Sequence, residues 1–173
     1  INRVLIVVPA WNEEASIAKV IKDLKAREFE VLVVDDGSTD NTFFSAQQAG
    51  AITIRLPFNL GVGAALRCGF RYAVQHGYEA VVQCDADGQH PVDHINSLIT
   101  TAAQGNFHMV IGSRFLNDAG KMELSLIRRL AMRILGRSAT RACKTAITDA
   151  TSGFRVIVIP LLNELSKKLP AYY

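Results

Sequence analysis

Short runs of β-branched and aliphatic residues recur along the chain, separated by stretches in which apolar residues return every third or fourth position. Val4 to Val8, Val31 to Val34, Ile52 to Leu56, Ala80 to Cys84 and Met109 to Ile111 are the short runs. They are apolar on both faces, so each predicts a strand buried on both sides. Between them, Ser16 to Arg27 sets Ile17, Val20, Ile21 and Leu24 on one stripe with Lys and Asp opposite, the pattern of an amphipathic helix. Gly61 to His76, Asp93 to Ala103 and Ser125 to Gly136 follow the same period. Phe154 to Ile159 predicts a further strand, and Leu161 to Leu169 a helix after it. Strands alternating with helices predict an α/β domain, a mostly parallel mixed sheet flanked by helices. Pro and Asp residues gather at the carboxyl ends of the first, second and fourth strands, the edge at which open α/β sheets bind ligands.

At 173 residues, 49% apolar and 20% charged, the chain has the size and composition of one domain with a buried core. Lys and Arg number 19 and Asp and Glu 16, a net charge of +3 that excludes a strongly basic nucleic-acid arm. Cys68, Cys84 and Cys143 are odd in number and widely spaced. They give neither a disulfide framework nor a metal pair, and they point to a reducing compartment. No apolar run approaches the ~20 residues of a membrane span, and the first residues lack a signal-peptide pattern. The chain begins at Ile1 and stops with two aromatics after Pro170, so the expectation is a catalytic domain over residues 1–173 clipped from a longer protein.

Seven polar motifs punctuate this frame. Pro9-Ala10-Trp11-Asn12-Glu13-Glu14 follows the first strand, with Pro9 expected to end it and the Glu residues able to sit at a helix start. Asp35-Asp36-Gly37-Ser38-Thr39-Asp40 ends the second strand and leads to a helix. Ser38, Thr39 or Asp40 can cap that helix. Capping leaves two carboxylates at a buried strand end unexplained, and these need partners, whether internal or a nucleobase or ribose. Asn59-Leu60-Gly61-Val62-Gly63 reads either as a phosphate loop or, since its glycines are misplaced for a dinucleotide fingerprint, as close packing of a helix start. Cys84-Asp85-Ala86-Asp87-Gly88-Gln89-His90-Pro91 is the sharpest. Alternate residues of an extended segment point the same way, so Asp85 and Asp87 can share a point, and two close carboxylates repel unless a cation lies between them. Mg²⁺ and Mn²⁺ suit few carboxylates plus phosphate oxygens. Gln89 adds a neutral oxygen, and His90 is either a ligand or a turn residue. The bland alternative is an acidic turn capping the next helix. Arg114 places a fixed cation after the fifth strand. Arg129, Arg133 and Arg137 share a helix face beside Leu126, Leu130 and Ile134, either as a solvated surface or against an anionic membrane. Asp149-Ala150-Thr151-Ser152-Gly153-Phe154-Arg155 is a tight polar turn whose Asp149 and Arg155 can pair with each other.

Taken in order, these segments resemble glycosyltransferase family 2, and within it the dolichyl- and polyprenyl-phosphate sugar synthases. Asp85-Ala86-Asp87-Gly88-Gln89-His90-Pro91 and Ser152-Gly153-Phe154-Arg155 are the most specific strings; Trp11 stands where Tyr is more usual. The resemblance implies a nucleotide-diphospho-sugar-binding domain of the GT-A type. Pro9, Trp11, Glu13, Val34 and Asp36 would hold the nucleoside. Asp85, Ala86 and Asp87 would meet the ribose, metal and diphosphate, with Gln89 joining the metal site and Arg114 facing the phosphates. It also implies a basic segment closing over donor and acceptor, which has no counterpart before Tyr173.

The function expected from these residues is a metal-dependent inverting transfer of a hexose to a polyprenyl phosphate. The donor would be of the GDP-mannose or UDP-glucose type, the cation Mg²⁺ or Mn²⁺, and the place the cytoplasmic face of a membrane. Asp87, Asp149 and Arg114 are the candidate catalytic groups; Arg128, Arg129, Ser152 and Arg155 are candidates for the acceptor. The alternatives are transfer to a soluble or protein acceptor and a non-catalytic nucleotide-sugar-binding module.

Overall fold

The computed structural model describes residues 1–113 and 152–170. Arg114, Arg128, Arg129, Asp149, Cys143 and the helix expected over Ser125 to Gly136 lie outside the described residues. Six strands form one sheet: β1 (Val4–Ala10), β2 (Glu30–Asp35), β3 (Ile52–Arg55), β4 (Ala80–Gln83), β5 (Met109–Ile111) and β6 (Arg155–Val158). Their spatial order is β3-β2-β1-β4-β6-β5. β1 to β4 are mutually parallel, while β6 runs antiparallel to both β4 and β5. The sheet is therefore mixed and mostly parallel, as the alternation of elements predicts.

The strands split their side chains by the period of two. Ile6, Val8, Val31, Val33, Val82 and Val156 point to one face, where they meet helices α1 (Ile17–Lys25), α2 (Thr42–Gln48) and α4 (Ile95–Gln104). Leu5, Val7, Leu32, Val34, Val81 and Ile157 point to the other, against α3 (Val62–Gln75) and α5 (Leu161–Lys168). A 3₁₀ turn, Val92–His94, leads into α4, so the start expected at Asp93 is displaced by two residues. The α3 helix lies unusually close to β1: a Cβ at Gly69 would stand 2.5 Å from Val7 Cγ1.

Two expectations are corrected here. β3 and β5 are not buried on both faces, because they are the sheet's two edges; Ile52 is exposed. Pro9 does not end β1, which runs on to Ala10. Val7 O accepts from Cys84 N on the β4 side, and Ala10 O accepts from Asp36 N on the β2 side. Pro9 consequently turns its nitrogen toward β4, beyond the last β1–β4 pair, Val7↔Gln83, where no ladder bond is lost.

Candidate active site at the carboxyl edge of the sheet

The carboxyl ends of β1, β2 and β4 lie side by side, and the loops leaving β1 and β2 are tied together by side chains. After β1, Trp11 is 52% exposed and Asn12 adopts a left-handed φ of 55°. The Asn12 N–H donates to Ser38 Oγ at 2.9 Å, and Asn12 Oδ1 accepts from the Thr39 N–H at 2.9 Å. The Glu13 N–H donates to Thr42 Oγ1 at 2.7 Å, and the Glu13 carboxylate accepts from Ser16 Oγ at 2.8 Å at the start of α1. The loop after β1 is thus docked on the loop after β2. Asp40 caps α2 from two residues before its first residue, its Oδ1 accepting the Thr42 N–H at 2.9 Å. Burial acts to raise the Asp40 pKa, but hydrogen bonds from Thr42 and Glu14 outweigh it and hold the carboxyl below its ordinary value.

The two carboxylates at the end of β2 find internal partners. Asp35 is 0% exposed; its Oδ1 accepts from the Ser38 N–H at 3.0 Å, and its Oδ2 lies 3.1 Å from Arg55 Nε. That second contact is an ion pair out of line for a hydrogen bond. Asp36 accepts from the Leu60 and Gly61 N–H groups at 2.8 Å each, one to each oxygen. In the Asn59-Leu60-Gly61 motif the amides at the start of α3 thus face the protein's own Asp36, while Gly61 takes a φ of 89° and Gly63 is buried. Gly37, between the two loops, has φ +70°, and a Cβ there would fall 2.5 Å from the Phe58 backbone. Val34 is fully buried beside Ala65 and Leu66, so its side chain belongs to the core. Pro9 is partly exposed beside it in register.

After β4 comes the acidic turn. Cys84 is buried, its thiol pushed up to about 12 by burial and by the charges of Asp85 and Asp87. Ala86 is buried, while Asp87 and Gln89 are exposed. Asp85 is 40% exposed, and its Oδ2 lies 2.8 Å from His90 Nε2. The His90 ring stacks on Phe154, with centroids 5.0 Å apart. A Cβ on Gly153 would come within 2.6 Å of both Asp85 oxygens. Asp87 Oδ1 accepts from the Gln89 N–H at 2.9 Å. Asp85 Oδ1 and Asp87 Oδ2 are left without a partner among the described residues. Among the described residues no three His, Cys, Asp or Glu side chains form a metal cage. Two carboxylates on one exposed turn do fit a hard cation that takes most of its oxygens from a diphosphate and water.

Ser152 and Arg155 complete this side. Ser152 is buried; its Oγ donates to Gly112 O at 2.8 Å and accepts from the Phe154 N–H. Arg155 donates to Ser152 O at 2.7 Å and pairs in register with Gln83, two residues before Asp85. Arg55 reaches the site without having stood out in the sequence; Asp35 stood there as a carboxylate in need of a partner, His90 as a ligand or turn residue, and Gly153 and Phe154 as part of a polar turn, the last three forming a brace around Asp85. The Gln-His-Pro and Ser-Gly-Phe-Arg strings held the signal for the brace. Arg55 gave none, since a basic residue ending an edge strand reads as ordinary surface.

A mixed sheet of this order, covered by helices on both faces, has the fold of an α/β domain of the GT-A type. The family model for glycosyl transferase family 2 matches residues 5–166, and the chain belongs to that family. It is 28% identical to a UDP-N-acetylglucosamine–dolichyl-phosphate N-acetylglucosaminyltransferase of Methanococcus voltae, over 97% of this chain and 74% of that one. It is 31% identical to an undecaprenyl-phosphate mannosyltransferase of Micrococcus luteus, over 88% of this chain and 65% of that one. Among solved structures it is similar to glucosyl-3-phosphoglycerate synthase from Mycobacterium tuberculosis, in complex with Mn²⁺, UDP-glucose and phosphoglyceric acid. That likeness has a TM-score of 0.69 and 25% identity, and it covers 91% of this chain and 57% of that one. The chain therefore spans between about half and three quarters of the lengths of these relatives.

Proposed function

We propose that the protein transfers a hexose, with inversion, from a nucleotide-diphospho-sugar to a polyprenyl phosphate. The observation that carries this reading is the acidic turn at the end of β4, where Asp85 and Asp87 stand on the ligand edge and Asp85 is braced by His90 and Gly153. The names of the relatives from Methanococcus voltae and Micrococcus luteus support a lipid-phosphate acceptor.

An oxygen of the acceptor phosphate attacks the anomeric carbon while the bond from that carbon to the donor's diphosphate breaks. The bonding pair leaves with the nucleoside diphosphate. A phosphate nucleophile is already ionised at neutral pH, so no strong general base is required. Asp85, Asp87 and Gln89 would hold Mg²⁺ or Mn²⁺. When bound, the cation neutralises charge growing on the leaving diphosphate. The neighbouring structure with Mn²⁺ and UDP-glucose supports that choice. His90 holds Asp85 in place. Trp11, Pro9, Glu13 and Asp36 border the nucleoside, Val34 contributing main chain only. In this reading Arg114 would serve the donor's phosphates, Asp149 would orient the acceptor, and Arg128, Arg129 and Arg155 would attract its phosphate. Since Ser152 is buried, it serves this region by setting the turn that carries Arg155.

The place of action would be the cytoplasmic face of a membrane. Among the described residues no helix is long and apolar enough to cross a bilayer. The Arg-lined segment from Ser125 to Arg137 would provide the contact, at roughly 1 kcal/mol for each Arg near an anionic surface. A second reading, transfer to a small soluble phosphate acceptor, is favoured by the phosphoglyceric acid in the neighbouring structure. Turnover assays with GDP-mannose and UDP-glucose, against a short polyprenyl phosphate and against 3-phosphoglycerate, separate the two. Product with the lipid alone supports the main reading. Product with 3-phosphoglycerate alone selects the second, and nucleotide binding without product reduces the protein to a binding module.

A further inference from the structure

Arg55 ends an edge strand, yet its guanidinium reaches inward with both arms. Nε lies 3.1 Å from Asp35 Oδ2, and Nη2 donates to Ser38 O at 2.7 Å. Asp35 is wholly buried, and among the described residues its Oδ2 accepts no hydrogen bond. Arg55 is thus the counter-charge for a carboxylate that cannot stay buried alone. The same side chain clamps the far end of the Asp35–Ser38 turn. From there the contacts run in series. Ser38 Oγ holds the Asn12 N–H at 2.9 Å, and Asn12 Oδ1 holds the Thr39 N–H at 2.9 Å. The residue before Asn12 is Trp11, the chain's one tryptophan, half-exposed at the ligand edge. An indole left in solvent adds nothing to the core, and its flat face suits a nucleobase.

We propose that Arg55 is a positioning residue for nucleoside recognition, fixing Trp11 through Asp35, Ser38 and Asn12. The proposal rests on the donor reading given above. Without Arg55 the buried Asp35 oxygen loses its counter-charge, the turn rearranges, and the Asn12 anchor moves with it. The diphosphate end of the donor is held from β4 and does not depend on this chain of contacts. The loss therefore falls on the nucleoside and not on the phosphates.

The test compares wild type, Arg55→Ala, Arg55→Lys and Ser38→Ala. Binding of GDP and UDP, and of inorganic pyrophosphate, is measured by calorimetry with Mn²⁺, and Trp11 fluorescence anisotropy is recorded without ligand. For the nucleotide that wild type prefers, Arg55→Ala is expected to weaken affinity about tenfold, the scale of one charge-assisted contact. Pyrophosphate binding should be unchanged and Trp11 anisotropy lower. Ser38→Ala, which cuts the next link, should do the same, and Arg55→Lys should fall between. Equal nucleotide affinity in wild type and Arg55→Ala, or an equal loss for pyrophosphate, overturns the proposal while leaving the donor reading intact. Wild type that binds neither nucleotide more tightly than pyrophosphate overturns both.

Discussion

Cys84 and Asp85 are adjacent and have opposite environments. The thiol is buried under the sheet edge and the carboxylate half-open to solvent. Burial, with the nearby charges of Asp85 and Asp87, raises the Cys84 pKa from its ordinary 9.0 to about 12. The folded state therefore holds this proton more tightly than the unfolded chain. Stability from the neutral thiol is complete below pH 9.0 and is lost as pH rises toward about 12. Urea unfolding between pH 8 and 11 should show a declining stability in wild type and a shallower decline in Cys84→Ala. Parallel declines would mean that the thiol is not so placed. Gly153 gives a second expectation at this scale. A Cβ there meets Asp85 oxygens at 2.5 and 2.6 Å, so Gly153→Ala must push the carboxylate aside. Mn²⁺-dependent nucleoside diphosphate affinity should fall at least about tenfold, the usual cost of disturbing a ligand's support. An unchanged far-UV spectrum would place the damage in the site rather than the fold, and unchanged affinity would contradict the brace.

At the scale of elements, the strands were readable because burial on two faces leaves a nearly unbroken apolar run, as in Leu5 to Val8 and Val31 to Val34. The edges were misread: Ile52 to Leu56 alternates, Thr53 and Arg55 standing between its apolar residues, the mark of a strand covered on one face, whereas Met109 to Ile111 is unbroken and only its neighbours place it at an edge. Pro9 misled for a related reason, since a missing N–H is harmless where the strand on that side has already diverged. The Asp85–Asp87 turn was legible from its spacing, whereas Arg55 beside Asp35 and the Leu60 and Gly61 amides on Asp36 come from residues 20 to 25 positions further along, which spacing cannot reveal. The α3–β1 contact carries its own test. Gly69→Ala inserts a methyl 2.5 Å from Val7 Cγ1, and overpacking of this kind costs about 1–3 kcal/mol. Chemical denaturation should show a loss in that range; no loss would mean that the helix and strand are free to separate.

For the whole molecule, fold and chemistry meet along one edge. The parallel strands β1, β2 and β4 deliver the aromatic loop, the paired carboxylates and the acidic turn to the same end of the sheet, and antiparallel β6 brings Ser152, Gly153 and Arg155 back to it. In the proposed function this edge binds a nucleoside diphosphate through a cation held by Asp85 and Asp87. Calorimetry of GDP and UDP binding, with Mn²⁺ and with chelator, in wild type and Asp87→Ala, tests it directly. The expected result is binding of one nucleotide by wild type that weakens at least about tenfold on chelation, and a mutant that folds normally but has lost that metal-dependent gain. Equal affinity with Mn²⁺ and with chelator, or an Asp87→Ala protein that keeps the full metal dependence, would contradict it.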